Sequence, residues 1–234
     1  MMMAVQLVIC LKVVLLKIKK NMNIIVIIII AITCIISYFG LNNMAMFEKY
    51  KFNVASIYNR KEYVRLISSG FLHADFMHLF FNMFSLFLFQ DAIIQFFGEI
   101  GFLIIYFASM FLGNLFSLFI YKNQPWYSAI GASGAVSGVI FAAIAMAPND
   151  ISVNFLPGWL FGTLYFGYSV YMMLNPKQWD NLGHAAHLGG AFFGLVYSIV
   201  MHPDLAMSNI LYLGAMSLPL LYLSYEIFIK KRIG

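Results

Sequence analysis

Charged residues are scarce in this chain: Asp, Glu, Lys and Arg make up 10% of it, whereas 62% of its residues are hydrophobic. Soluble domains carry about 25% charged residues, so a surface covered by water is excluded. The mean hydropathy of +0.85 agrees with an exterior that faces lipid. The composition therefore predicts an integral membrane protein whose first partner is the bilayer.

Signatures of metal and redox chemistry are also missing. The only cysteines, Cys10 and Cys34, lie in apolar segments without CxxC or Cys/His spacing, and there is no HExxH. The net charge of +5 comes from Lys and Arg grouped beside apolar runs, which is typical of membrane flanks and not of a nucleic-acid surface. We expect no cofactor, no metal and no nucleic-acid partner.

Long apolar stretches are what the sequence does have. Seven of them approach the roughly 20 residues that cross a bilayer as a helix. They cover residues 23–41, 75–96, 100–121, 131–148, 157–174, 184–201 and 208–229. Several joins are very short, so neighbouring helices must run antiparallel. The pattern predicts an all-α, multi-pass membrane protein with a single domain.

The chain divides into three parts. Residues 1–21 form an N-terminal extension whose apolar part is too short to span. The extension fits an interfacial helix, a signal-like segment or sequence upstream of a true start at Met22, and we favour the last two. Residues 22–201 form a six-helix core, and 202–234 add one further helix and a basic tail. The long connection 42–74 is aromatic and is predicted at the membrane interface.

Two ridges of small residues occur in the fourth and sixth predicted helices. They consist of Gly134, Gly138 and Ala142, and of Ala186, Gly190 and Gly194. Alone, such a ridge more often indicates close helix packing than chemistry. Each ridge nevertheless adjoins a reactive side chain, Ser133 in the first case and His187 in the second. Contact between the ridges would bring these two side chains within reach of one another.

Polar residues in spanning helices are functional candidates because their burial is costly. His78 and Asn82 lie four residues apart and share a helix face, although either could be satisfied core polarity. The second, fourth and sixth predicted helices begin at the same membrane face. Along the membrane normal, we therefore expect His78, Asn82, Ser133 and His187 to lie within about 10 Å of one another. Glu62 and Arg65, in the interfacial connection, are interpreted as solvated flank charges.

This arrangement suits hydrolysis by a serine nucleophile. A neutral imidazole can take the proton of a hydroxyl, so His187 is the predicted base for Ser133. The helices around them contain no Asp or Glu, which predicts a dyad and not a triad. The Ser133 backbone N–H, His78 and Asn82 are candidate donors to the oxyanion.

At this point the sequence resembles the rhomboid intramembrane serine proteases. Gly131-Ala-Ser133-Gly134 is similar to their GxSG motif, Ala186-His187-Leu-Gly-Gly190-Ala-Phe-Phe-Gly194 to their AHxxGxxxG helix, and His78-Leu-Phe-Phe-Asn82 to their HxxxN element. The resemblance covers residues 22–201 in order. It implies a rhomboid-like six-helix core with an additional C-terminal transmembrane helix. It also implies a Ser133–His187 dyad, an oxyanion hole with His78 and Asn82, and transmembrane proteins as substrates.

The chain departs from the family pattern at two places. Ser137 stands where the family often carries an aromatic residue that stacks on the catalytic histidine. Val64, beside Tyr63, replaces the tryptophan of the first loop, whereas Arg65 matches its arginine. The family's outward-facing site also requires an inside N-terminus, which leaves most Lys and Arg outside against the positive-inside tendency. We keep the outside assignment and expect a bacterial-type cell membrane.

Two other functions compete with proteolysis. A catalytically silent member of the same fold could bind transmembrane clients, but such members typically lack the serine or the histidine. A metal transporter could use His73, His78, His184 and His187, but Asp75 is the only carboxylate close by, and such sites usually add carboxylates.

Overall fold

The computed structural model describes residues 23–177 and 182–231. The predicted N-terminal extension 1–21, the start at Met22 and the last residues of the basic tail, 232–234, lie outside the described residues. Most of the described chain is helical. The protein is therefore an all-α polytopic membrane protein, as the composition predicts.

In chain order the helices are α1 (Ile24–Asn42), α2 (Met44–Tyr50), α3 (Val54–Arg60), α4 (Arg65–Ser68), α5 (Phe76–Ile120), α6 (Ser133–Met146), α7 (Gly158–Leu174), α8 (His184–Met201), α9 (Pro203–Ser208) and α10 (Ile210–Phe228). A 3₁₀ turn occupies Ser69–Phe71. Two antiparallel pairs of short strands join β1 (Phe52–Asn53) to β2 (Ser128–Ala129) and β3 (Ser152–Val153) to β4 (Leu156–Pro157). All seven predicted apolar segments are confirmed as helices, and the second and third are joined in α5.

Gly98 separates the two arms of α5. Its φ of 67° and ψ of −177° are not helical, and a left-handed φ of this kind favours glycine. The first arm (76–97) and the second arm (99–120) match two separate predicted helices, and the break falls where the sequence predicts it. The Asp75 side chain caps the first arm by accepting from the backbone N–H of His78.

Four of the described helices, α1, α5, α8 and α10, have the length and apolar character needed to cross a membrane. The apolar helix α6 is shorter, with 14 residues. It is about 21 Å long, whereas the hydrocarbon core is about 30 Å thick. We therefore expect the Ser133 end of α6 to lie below a membrane face.

The backbones of α6 and α8 touch without side chains between them. A Cβ on Gly190 would overlap the carbonyl oxygen of Gly134, and a Cβ on Gly194 would overlap that of Gly138. These are residues of the two predicted ridges, which face each other across the helix pair. Only glycine allows this approach, because any side chain would have to occupy the same space as a backbone carbonyl.

The connection 42–74 folds around a buried arginine. Arg65 is only 3% exposed, donates to the backbone oxygens of Glu48 and Lys51 at 2.8 and 2.7 Å, and pairs with Glu62. The interpretation of Arg65 as a solvated flank charge is therefore wrong. Its guanidinium donates to carbonyls at the C-terminal end of α2, a role for which five fixed donors are well suited.

We expect Gly194→Ala to destabilise the protein by about 1–3 kcal/mol because the added methyl group would force the two helices apart. Gly167→Ala is the matched control, since a Cβ at Gly167 meets nothing within 4 Å. Thermal unfolding of both variants in mild detergent checks this. Equal effects of the two substitutions would contradict the packing described above.

Candidate active site

Ser133 and His187 are in hydrogen-bond contact. The distance from Ser133 Oγ to His187 Nε2 is 2.6 Å, and both residues are half-buried. Ser133 is the first residue of α6, and His187 lies in the first turn of α8, where its backbone N–H donates to Gly183. The contact of the two helices thus aligns their first turns and brings the two side chains together.

The turn before Ser133 requires glycine at position 131. Gly131 has a φ of +112°, a conformation that L side chains rarely adopt. A Cβ at this position would also lie 2.7 Å from Cε1 and Nε2 of His78. The Gly131 N–H donates to the Ser69 carbonyl at 3.0 Å, which fixes the turn against the interfacial connection.

His73 holds the next peptide of this turn. Its Nε2 accepts the Ala132 backbone N–H at 3.3 Å, and its Nδ1 lies 2.8 Å from Ser37 Oγ. The Ser37 hydroxyl donates to the Phe71 carbonyl at 2.8 Å, so it can only accept from His73. His73 makes both of its bonds as a neutral imidazole that carries its proton on Nδ1.

Burial and, to a smaller extent, the neighbouring His78 together lower the pKa of His73 to about 3, against the opposing effect of Asp75. The residue has no exposed surface. The neutral imidazole is therefore maintained at all physiological pH values, which preserves the bond to Ala132.

His78 and Asn82 lie on the first arm of α5 beside the turn. The His78 ring contacts the Gly131 position, and its centroid is 4.9 Å from that of His73. Asn82, one turn further, is 6% exposed, and its amide nitrogen donates to the His78 carbonyl at 3.0 Å. The structure thus puts the His78 ring directly against the turn that leads to Ser133, with Asn82 next to it along the helix.

Tyr165 of α7 is a site residue that the sequence reasoning missed. Its ring stacks on His187 with centroids 6.4 Å apart and an angle of 27° between the planes. Its hydroxyl lies 3.0 Å from Ser137 Oγ. The only sequence signal was indirect: Ser137 lacks the aromatic ring that the family pattern leads one to expect.

The described residues contain no group of three or more His, Cys, Asp or Glu side chains that could hold a metal ion. The histidines proposed for a transporter form two pairs, His73 with His78 and His184 with His187. Within each pair the rings meet edge to face.

A sequence model of the Rhomboid domain matches residues 60–204, which is more than half of the chain. The chain belongs to the rhomboid family. Membership of this family supports intramembrane protease activity in general, with membrane-embedded proteins as the substrate class. It also supports a multi-pass location in a lipid bilayer.

Individual rhomboid relatives come from a bacterium and from mitochondria. YdcA of Bacillus subtilis is 32% identical over 140 residues, which cover 59% of this chain and 67% of YdcA. Rhomboid protein 1, mitochondrial, of Saccharomyces cerevisiae is 29% identical over 155 residues, 59% of this chain and 43% of that protein. The human presenilin-associated rhomboid-like protein, mitochondrial, is 29% identical over 142 residues, which cover 58% of this chain and 38% of that protein. The match therefore spans less than half the length of these two mitochondrial relatives.

Acid should destabilise the protein partly through His73. Its folded pKa of about 3 lies below the ordinary value of 6.5, so this contribution is complete above pH 6.5 and is lost as the pH falls towards 3. His73→Gln does not titrate, and its amide oxygen can accept the Ala132 N–H. We expect its Tm to fall less than that of the wild type between pH 6.5 and pH 4. An identical fall in both proteins would contradict this role.

Proposed function

We propose that this rhomboid protein is a serine endopeptidase that hydrolyses peptide bonds in or near transmembrane segments, with Ser133 as nucleophile and His187 as base. The observation that carries the proposal is the 2.6 Å contact between Ser133 Oγ and His187 Nε2. A hydroxyl is a weak nucleophile until a base takes its proton, and this geometry is within proton-transfer range.

The reaction follows from this pair. Neutral His187 accepts the proton of Ser133 Oγ at Nε2 while Oγ attacks the substrate carbonyl carbon. When the C–N bond breaks, the His187 imidazolium protonates the leaving amine, and the acyl group stays on Ser133. A water molecule, deprotonated by His187, then attacks the acyl carbon, and the proton returns to Ser133 as the new carboxyl product leaves.

Three donors are available for the oxyanion that forms on the substrate carbonyl. The backbone N–H of Ser133 lies in the first turn of α6, where N–H groups have no acceptor within the helix and the helix dipole is positive. The His78 ring lies against Gly131, and the Asn82 amide carries two N–H groups. Donors fixed in advance in this way stabilise the developing charge most strongly.

The position of the site fits a substrate that itself spans the membrane. With 14 residues, α6 is shorter than the hydrocarbon core is thick, so we expect Ser133 to lie below one membrane face and water to travel only part of the way into the bilayer. Peptide bonds in a helix are hydrogen-bonded along the axis and closely packed. A transmembrane segment would therefore have to unwind locally beside α6 to present one carbonyl to Ser133. For the compartment, a bacterial-type cell membrane remains our prediction.

Ser133→Ala and His187→Ala should each lower the cleavage of a labelled transmembrane peptide at least a thousandfold, because either change removes the activated nucleophile. Cleavage is followed in mild detergent or in liposomes. Ser224→Ala, an exposed serine on α10, is the matched control and should cleave at the wild-type rate. A folded wild type that binds the peptide without cleaving it would contradict proteolysis and favour client binding.

Asn82→Ala should lower kcat about a hundredfold with little change in KM, because an oxyanion donor acts mainly in the transition state. Asn42→Ala is the matched control: Asn42 makes the same local bond, from its amide to the Tyr38 carbonyl, at the end of α1. The kinetics of both variants check this. An unchanged kcat in Asn82→Ala would remove Asn82 from the proposed oxyanion site.

A further inference from the structure

We propose that Tyr165 is a positioning residue that holds the His187 imidazole against Ser133, and that Ser137 anchors Tyr165 in turn. This inference rests on the proposed proteolytic function, because it assigns a role relative to His187 as base. Tyr165 itself takes no part in proton transfer.

The geometry joins three helices at one point. The Tyr165 ring, from α7, lies nearly parallel to the His187 ring of α8, with centroids 6.4 Å apart and an angle of 27° between the planes. The Tyr165 hydroxyl reaches α6, where it is 3.0 Å from Ser137 Oγ. Ser137 lies one turn beyond Ser133, so the nucleophile and the anchor are on the same face of the same helix.

Neighbouring aromatic rings keep Tyr165 in this orientation. Its ring centroid is 5.4 Å from that of Phe141 on α6, and 5.7 and 6.3 Å from those of Phe161 and Phe166 on α7. These separations are in the range in which aromatic pairs attract each other. Rotating Tyr165 away would break these contacts and the bond to Ser137 together, so the ring forms a fixed wall beside His187.

A base that is to act on Ser133 must keep both its position and its ring orientation. In a triad a carboxylate does this through the second imidazole nitrogen. A flat ring fixed beside the imidazole limits its rotation about the side-chain bonds, which keeps Nε2 directed at Ser133 Oγ.

The same contacts account for the departure from the family pattern at position 137. There the family often carries an aromatic residue, whereas this chain has a serine. The ring is supplied instead by α7, and the small side chain of Ser137 leaves room for it and binds its hydroxyl. Ser137 and Tyr165 would then act as one unit.

The test compares Tyr165→Leu, Tyr165→Phe, Ser137→Ala and the double variant Ser137→Ala/Tyr165→Phe. Two rates are measured: covalent labelling of the protein by a fluorophosphonate, and cleavage of a transmembrane peptide with kcat and KM separated. Tyr171→Leu, an exposed tyrosine on the same helix, is the matched control. Thermal unfolding of each variant monitors the fold.

We expect Tyr165→Leu to slow labelling and kcat roughly tenfold with unchanged KM, because the stacked ring is lost. Tyr165→Phe and Ser137→Ala should each slow both rates only about threefold, since the ring remains and one hydrogen bond is lost. The double variant should be no slower than either single variant, because both changes remove the same bond. Tyr171→Leu should match the wild type.

Several results would overturn the inference. If the wild type labels, His187→Ala does not, and Tyr165→Leu labels at the wild-type rate, the positioning role is wrong while the proposed function stands. Full activity of Tyr165→Phe and Ser137→Ala would overturn the anchor even if Tyr165→Leu failed to fold. A folded wild type that neither labels nor cleaves would overturn the proposed function and this inference together.

Discussion

The close approach of α6 and α8 is the constraint on which the rest of the site depends. Carbonyl oxygens of Gly134 and Gly138 occupy the space that Cβ atoms would need at Gly190 and Gly194. In lipid, where the hydrophobic effect does not drive helices together, such backbone contact supplies much of the packing energy. It also fixes the rotation and the relative height of the two helices, which is why a serine and a histidine 54 residues apart meet at 2.6 Å.

Around this contact, polar groups hold the segments that are not helical. Gly131 and Ala132 lie in a turn whose N–H groups are satisfied by the Ser69 carbonyl and by His73. Irregular backbone at membrane depth is tolerated only where such partners exist. The buried Arg65 serves the interfacial connection in the same way. The turn and the connection are therefore parts of one structure, and Ser133 takes its orientation from both.

Much of this could be predicted from the sequence, because the apolar run and the small-residue spacing of a helix are visible in the sequence of that helix alone. Helix positions, the break at Gly98 and the juxtaposition of the ridges belong to this class. Tyr165 does not: it is 28 residues from Ser137, and helical periodicity does not determine how α7 is rotated towards α6. Arg65 was misjudged for a related reason, since its burial depends on carbonyls 14 and 17 residues earlier in the chain.

We infer that helix packing makes Ser133 the reactive serine of this protein. Peptide mapping by mass spectrometry, after reaction of the folded wild type with a fluorophosphonate, tests it most directly. We expect one adduct per chain, located on Ser133, although many other serines are present. An adduct distributed over several serines, or located on a serine other than Ser133, would contradict the claim.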